Sequence, residues 1–133
     1  MKKEGKQKAK EKKTPQIWLE WLYLSAGGPV LERLYTCLLQ EDEEDVQFWK
    51  EAGVLEIGLP EGGPLDLEFL EEEYRDEALR SYMEKQQADQ VCTVTFQETD
   101  QKKARRLMAR LVQRAGGVFC QDTEEFLPEI RRK

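Results

Sequence analysis

A chain of 133 residues, of which 39% are hydrophobic and 36% charged, is long enough to build the core of one domain and too short for two. The complete lack of histidine excludes Ser-His-Asp and Cys-His nucleophiles and most zinc and non-haem iron sites. Cys37, Cys92 and Cys120 lie far apart, without Cys-x-x-Cys spacing, so we expect buried free thiols, no metal site and no cofactor.

Charge is divided unevenly along the chain. Residues 1–13 hold seven Lys and two Glu and almost no apolar side chain, which predicts a disordered basic tail before a single domain over residues 14–133. Residues 41–77 hold fifteen Asp and Glu against two basic residues, a net charge of −13. Basic residues return at 102–114. No apolar run is long enough to span a membrane and no signal-peptide core follows the tail, so we expect a cytoplasmic protein.

The first predicted elements are a strand and a helix. Residues 17–24 are bulky and largely aromatic or aliphatic; a helix is an alternative, but the shortness of the run and the glycines behind it favour a buried strand. Residues 29–40 are predicted to be a helix, because Leu31, Leu34, Tyr35 and Leu38 form one apolar stripe. The acidic residues 41–45 would oppose the helix dipole, so they predict a loop.

A β-hairpin is the next predicted element. Apolar and polar residues alternate over residues 55–59 and again over 65–69, on either side of a turn rich in Gly and Pro at 60–64. Such a pattern predicts two paired strands with one apolar and one acidic face. The two prolines and the acidic residues indicate that at least one strand lies at a sheet edge. Residues 46–49 are expected to extend or precede the first strand.

The last third of the chain predicts two helices and two strands. A helix over residues 75–87 is followed by a strand over 91–96. The strongest helical pattern covers residues 101–115, with Thr99 or Asp100 as its cap and a glycine doublet behind it. Residues 118–120 predict a last strand, and Phe126, Leu127 and Ile130 are expected to pack the C-terminus against the domain.

The order β-α-β-β-α-β-α-β places hairpin and crossover connections in one chain. It predicts an α+β fold, a two-layer sandwich with a mixed or antiparallel sheet of about five strands. About three helices would lie mostly on one face of that sheet, which makes the fold ferredoxin-like in general character. A fold of this kind does not assign a function.

Three sequence patterns were weighed as chemical sites. The glycine doublets lack the Lys and Ser/Thr of a phosphate loop and fit turns and caps better. Two acidic groups, Asp66 with Glu68 and Asp122 with Glu124 and Glu125, could hold a cation or act as acid and base, although close carboxylates are expected by chance in a chain with 27 acidic residues. The basic residues 102–114 could contact nucleic acid, but a solvated face neutralised by the acidic hairpin is favoured.

The remaining hypothesis is a non-enzymatic protein that binds a basic partner through an acidic surface. In general character (short, acidic and aromatic-containing) the chain is similar to small bacterial immunity and inhibitor proteins and to nucleic-acid mimics, a likeness that involves no motif. It implies a basic protein partner, possibly a toxin. The partner-binding residues we expect are Asp42, Glu43, Glu44, Asp45, Trp49, Asp66 and Glu68. The alternatives are a nucleic-acid-associated accessory protein and a carboxylate-dependent enzyme.

Overall fold

The structure, a computed structural model, describes residues 17–41 and 45–132. Within these residues the chain forms seven strands and three α-helices. The strands are β1 (Trp18–Ser25), β2 (Val46–Trp49), β3 (Val54–Leu59), β4 (Gly63–Phe69), β5 (Gln90–Gln97), β6 (Val118–Gln121) and β7 (Glu129–Arg131). The helices are α1 (Val30–Gln40), α2 (Glu77–Lys85) and α3 (Gln101–Ala115). Over the described residues, no helix combines the length and the apolar character that a membrane crossing requires.

The seven strands form one antiparallel sheet in the order β2-β3-β4-β5-β1-β6-β7. In its centre β1 pairs with β5 on one side and with β6 on the other. Helix α3 connects β5 to β6 and so crosses over β1, which is the split β-α-β arrangement of ferredoxin-like folds. The predicted α+β fold is therefore confirmed.

The expected strand count of about five is wrong, because two short strands extend the sheet. Strand β2 is separate from β3: the chain reverses between them through a 3₁₀ turn, Lys50–Ala52, and Gly53 at a φ of 70°, which costs glycine little. Strand β7 pairs with β6 through Phe119 and Ile130. It is three residues long, too short for an alternating pattern to be recognised in the sequence.

Strand β1 confirms the preference for strand over helix in residues 17–24. From Trp21 onwards β1 is buried on both of its faces, because core clusters lie on both sides of the sheet there. Trp21 and Tyr23 are buried in one cluster, while Leu22 and Leu24 are buried in another. An apolar run without alternation is what burial on both faces produces.

Helices α1 and α3 together cover one face of the sheet and form the larger core with it. Most inward side chains follow the predicted helical spacing: in α3 the buried residues are Ala104, Leu107, Met108, Leu111 and Val112. They pack against the inward side chains of five strands, among them Leu55, Leu67, Val94 and Phe119. The apolar half of the predicted hairpin pattern thus faces this helical layer.

Helix α2 lies on the opposite face and is shorter than the predicted 75–87. It begins after Asp76, whose carboxylate accepts a hydrogen bond of 2.8 Å from the backbone N–H of Leu79. Leu79 and Met83 pack on Leu22, Leu24, Val91 and Cys120. Because α2 packs around these residues only, it covers one end of this face of the sheet.

Asp100 occupies the predicted N-cap position of α3, but its side chain does not act as the cap. Asp100 precedes the helix but makes no capping hydrogen bond with its side chain. The carboxylate instead accepts hydrogen bonds from the backbone N–H groups of Glu61, at 3.2 Å, and Gly62, at 2.6 Å. Asp100 is 2% exposed, so this buried acid fixes the turn between β3 and β4 against the start of α3.

Candidate functional site

The face of the sheet opposite α1 and α3 carries a row of polar and acidic side chains. Strand pairing aligns Gln47 with Glu56, Glu56 with Asp66, and Asp66 with Thr95. Thr95 is aligned in turn with Glu20 of β1. Directly opposed residues of antiparallel strands point to the same side and lie about 5 Å apart. Three carboxylates therefore share one line across β3, β4 and β1; we call the surface around this line the acidic face.

Asp66 lies at the centre of the acidic face and is only half-exposed. Its Oδ1 atom is buried and has no hydrogen-bond partner among the described residues. Burial raises the pKa of the Asp66 carboxyl above its ordinary value, and the negative charges of Glu56 and Glu68 raise it further. The acidic face thus holds negative charge under mutual repulsion, a state that an approaching cation would relieve.

Asp45 and a shallow depression border the acidic face on the side of β2 and β3. The backbone oxygen of Asp45 accepts a hydrogen bond of 2.8 Å from the N–H of Gly58. The Asp45 carboxylate fills the space that a side chain at position 58 would occupy. Together with Gln47 and Glu56 it lines a depression of about 290 Å³, so Asp45 and Glu56 lie beside the same opening.

Two exposed tryptophans stand at opposite margins of the acidic face. Trp49 of β2 is 52% exposed and aligned through Val54 with Glu68. Trp18 of β1 is 46% exposed and lies two residues before Glu20. Trp21, by contrast, is 1% exposed in the core.

Within residues 17–41 and 45–132, no Lys or Arg forms an ion pair with the carboxylates of the acidic face. Among the described residues, none of the ion pairs involves Glu20, Glu56, Asp66 or Glu68. The pairs occur elsewhere: Lys50 with Glu32, Arg110 and Arg114 with Glu41, and Arg131 with Glu129. Helix α3 meets the acidic segment at Glu41, where the Arg114 to Glu41 distance is 2.9 Å.

This arrangement corrects the favoured interpretation of the basic helix in part: Arg110 and Arg114 do pair with an acid of the segment 41–77, Glu41, but the hairpin is not their partner. The acidic side of the hairpin and helix α3 lie on opposite faces of the sheet, so the hairpin does not neutralise α3. Arg105 of α3 lies over the ring of Trp21, at 5.1 Å from its centroid. Lys103, Arg106 and Arg110 line a groove of about 300 Å³ beside Leu59.

A second opening lies at the covered end of the acidic face. It has a volume of about 350 Å³ and is lined by residues of α2, the sheet and the segment after β6, including Asp122 and Glu124. Burial raises the pKa of the Asp122 carboxyl above its ordinary value, and the charges of Glu20 and Asp76 add to that shift. The sequence pair Asp122/Glu124 thus lines a real cavity, which we call the acidic pocket.

Other sequence candidates have structural roles. The N–H of Gly27 donates to Asp89 Oδ1 at 2.9 Å, and the oxygen of Gly27 accepts from Arg33 at 3.0 Å, so this glycine doublet is a hydrogen-bonded turn. All three cysteines are buried free thiols, as predicted. Burial raises the pKa of Cys92 and of Cys120 to about 12. In the described part of the chain, no group of three or more Cys, Asp or Glu side chains is arranged to hold a metal ion.

Of the predicted partner-binding residues, the structure brings Asp45, Trp49, Asp66 and Glu68 to one face of the sheet. Asp42, Glu43 and Glu44 lie outside the described residues. Sequence reasoning missed Glu56 and Glu20. The alternation of β3 already placed Glu56 on the acidic side of the hairpin, whereas Glu20 joins it only through the pairing of β1 with β5.

Comparison of the chain with protein-family models, with curated proteins and with solved structures gives no match.

Proposed function

We propose that this chain is a non-enzymatic binding protein whose acidic face engages a basic protein partner. The observation that carries the proposal is the set of carboxylates on the acidic face, Glu20, Glu56, Asp66 and Glu68, that no cation of the described residues pairs with. An immunity or inhibitor protein that neutralises a basic partner, such as a toxin, is the role that this chemistry fits best.

Electrostatic repulsion within the acidic face favours the binding of a cation. Burial, together with the charges of Glu56 and Glu68, holds the pKa of Asp66 above its ordinary value, so the folded protein carries a cost for this charge at neutral pH. A lysine or arginine of a partner placed over Asp66 removes that cost and gains charge-assisted hydrogen bonds. Complementary charge also speeds association and disfavours acidic competitors.

Aromatic side chains add contact area to the charged surface. Trp49 is exposed on β2, in line with Glu68 across Val54, and Trp18 is exposed two residues before Glu20 on β1. Tryptophan is enriched among the residues that dominate binding energy at protein interfaces. A partner that covers both would span five strands, about 19 Å at the usual strand spacing, which is a normal width for a protein interface.

Charge reversal on the acidic face tests the proposal. The test variant carries Glu20→Lys, Glu56→Lys and Glu68→Lys. The matched control carries Glu51→Lys, Glu72→Lys and Glu84→Lys, three exposed acids that belong neither to the row of aligned carboxylates nor to the lining of the acidic pocket, so that both have the same net charge. Tagged wild-type protein is expected to capture a basic protein from its native cells, the control to retain it, and the test variant to bind it at least tenfold more weakly. Equal affinity of the two variants would refute the proposal.

A nucleic-acid-associated accessory protein is the second candidate, and one observation favours it. The groove lined by Lys103, Arg106 and Arg110 carries three positive groups on the side of the molecule opposite the acidic face. Lys103→Glu with Arg106→Glu would abolish a low-salt band shift if this groove bound phosphate backbone. A band shift that the double variant removes, without capture of a basic protein by wild type, would favour this candidate over the first.

A carboxylate-dependent enzyme is the third candidate, because the acidic pocket holds Asp122 and Glu124. We favour binding over catalysis there. Of the residues that the structure describes, no Lys or Arg lines the pocket, so none of them would stabilise negative charge that develops on a substrate there.

A further inference from the structure

The acidic pocket has the form of a side-chain receptor. Its volume of about 350 Å³ falls within the range of ligand-binding clefts. Leu22, Leu70 and Leu79 supply apolar surface, with Leu22 contributed by the central strand β1. Leu22 and Leu79 belong to the small core cluster under α2. The pocket therefore stands on packed elements of the fold.

Negative charge converges on this apolar surface from two directions. Asp76 comes from the start of α2, and Asp122 and Glu124 come from the segment after β6. The N–H of Asp122 donates to the backbone oxygen of Glu20 at 2.9 Å, which extends the sheet ladder and holds the residue beside the acidic face. No ion pair among the described residues uses these three carboxylates.

Aromatic side chains also line the acidic pocket. Tyr74 lines the pocket and is 70% exposed, so its ring is open to an incoming group. Phe126 lines the pocket as well and stacks on Tyr82 with ring centroids 4.3 Å apart. An apolar floor, converging carboxylates and an accessible aromatic face are together the features that bind a long cationic side chain.

We propose that the acidic pocket receives an arginine side chain of the basic partner. The methylene stem lies along Leu22 and Leu79, and the guanidinium donates to Asp122 and to Oδ2 of Asp76, whose Oδ1 caps α2. Arginine fits better than lysine, because its planar group can bridge two carboxylates and stack on Tyr74. This inference rests on the proposed function and names the anchor of that interface.

The anchor adjoins the acidic face. Strand pairing aligns Glu68 with Thr93 and Thr93 with Leu22, and both Thr93 and Leu22 line the pocket. One basic segment of a partner can therefore place an arginine in the pocket and further cations over Glu68 and Asp66. Burial and repulsion from Glu20 and Asp76 raise the pKa of Asp122, and the same arginine relieves that repulsion.

Amide chemical-shift titration tests the pocket with a defined probe. The probe is Nα-acetyl-arginine methylamide at low salt, and its citrulline counterpart is the neutral control of the same shape. We expect saturable shifts at the amides of Leu79, Thr93 and Thr123 with the arginine probe, and at least tenfold smaller shifts with citrulline. The lysine analogue is expected to bind several-fold more weakly than arginine.

The variant for this test is Asp76→Asn with Asp122→Asn. Asparagine caps helices as well as aspartate does, so α2 is kept while two charges are removed. The matched control, Glu51→Gln with Glu84→Gln, removes two charges elsewhere. The pocket variant is expected to weaken arginine binding at least fivefold, and the control less than twofold.

The outcomes separate this inference from the proposed function. The proposal that the pocket binds arginine would be refuted by equal effects of the two variants, by equal shifts with citrulline, or by shifts confined to residues outside the pocket. If the partner is still lost on charge reversal of the acidic face, the proposed function stands without the pocket. If the pocket binds arginine but no basic protein partner is found, the arginine site is supported and the proposed function is refuted.

Discussion

At the scale of single residues, Asp66 shows that the concentration of negative charge on the acidic face lowers the stability of the fold. The residue is aligned with Glu56 and lies two positions from Glu68 on the same strand face. Like charges directly opposed on neighbouring strands destabilise a sheet. Burial of Oδ1 without a partner adds to that cost. A carboxylate that lowers stability in this position is consistent with a role in binding.

Replacement of Asp66 by Asn is therefore expected to stabilise the protein. We expect the free energy of unfolding at pH 7 to rise by about 0.5 kcal/mol, the scale of a cross-strand pair. Because the folded-state pKa of Asp66 is raised, wild type takes up its proton as the pH falls from neutral towards the ordinary Asp value. The cost of the Asp66 charge in wild type disappears over that range, so the stability gained by Asp66→Asn shrinks as the pH falls.

Chemical unfolding of both proteins between pH 7 and pH 4 measures this gain. Glu51→Gln is the control, since Glu51 is exposed and lies away from the acidic face. A gain from Asp66→Asn that is constant with pH, or a loss of stability at pH 7, would contradict the assignment of repulsion at Asp66.

At the scale of elements, local sequence patterns predicted those strands and helices that have a single buried face. The alternation of residues 55–59 and 65–69 and the spacing in residues 101–115 were sufficient for β3, β4 and α3, because each pattern reflects a single buried face. Strands β2 and β7 were not predicted as separate strands, since their existence depends on pairing with a neighbour. The predicted helix over residues 75–87 is too long by two residues at each end. A 3₁₀ turn, Glu72–Tyr74, lies shortly before α2.

The connection between α3 and β6 offers a test at this scale. Gly117 has a φ of 83°, and a Cβ there would lie 2.6 Å from the hydroxyl oxygen of Tyr23 and 2.7 Å from the backbone oxygen of Leu24. The Tyr23 hydroxyl donates to Gly116 O at 2.7 Å, so the clash would also disturb this hydrogen bond. Gly117→Ala is expected to cost about 3 kcal/mol, the sum of strain and overpacking.

Gly27→Ala is the matched control for this prediction. Gly27 has a φ of 73°, and a Cβ there would meet no atom within 4 Å. Only backbone strain then applies, so a loss of about 1 kcal/mol is expected. Equal losses for the two variants in denaturant unfolding would show that the contact with Tyr23 does not matter.

At the scale of the whole molecule, the sheet separates two regions of opposite charge. The acidic face lies on one side, and helix α3 with Lys103 and Arg106 lies on the other. The sequence placed acids at 41–77 and bases at 102–114, but their separation in space depends on which face each strand turns to the helices. The same applies to Glu20, which joins Glu56 and Asp66 through contacts between distant parts of the chain.

The central claim is that the acidic face binds a basic protein, and the salt dependence of that binding tests it most directly. Titration calorimetry of the captured partner between 50 and 300 mM salt gives the slope of log Kd against log salt concentration. For wild type and for the control Glu51→Lys, Glu72→Lys, Glu84→Lys we expect steep, similar slopes. For Glu20→Lys, Glu56→Lys, Glu68→Lys we expect a Kd at least tenfold higher at low salt and a much shallower slope. The same slope and Kd for all three proteins would contradict the account.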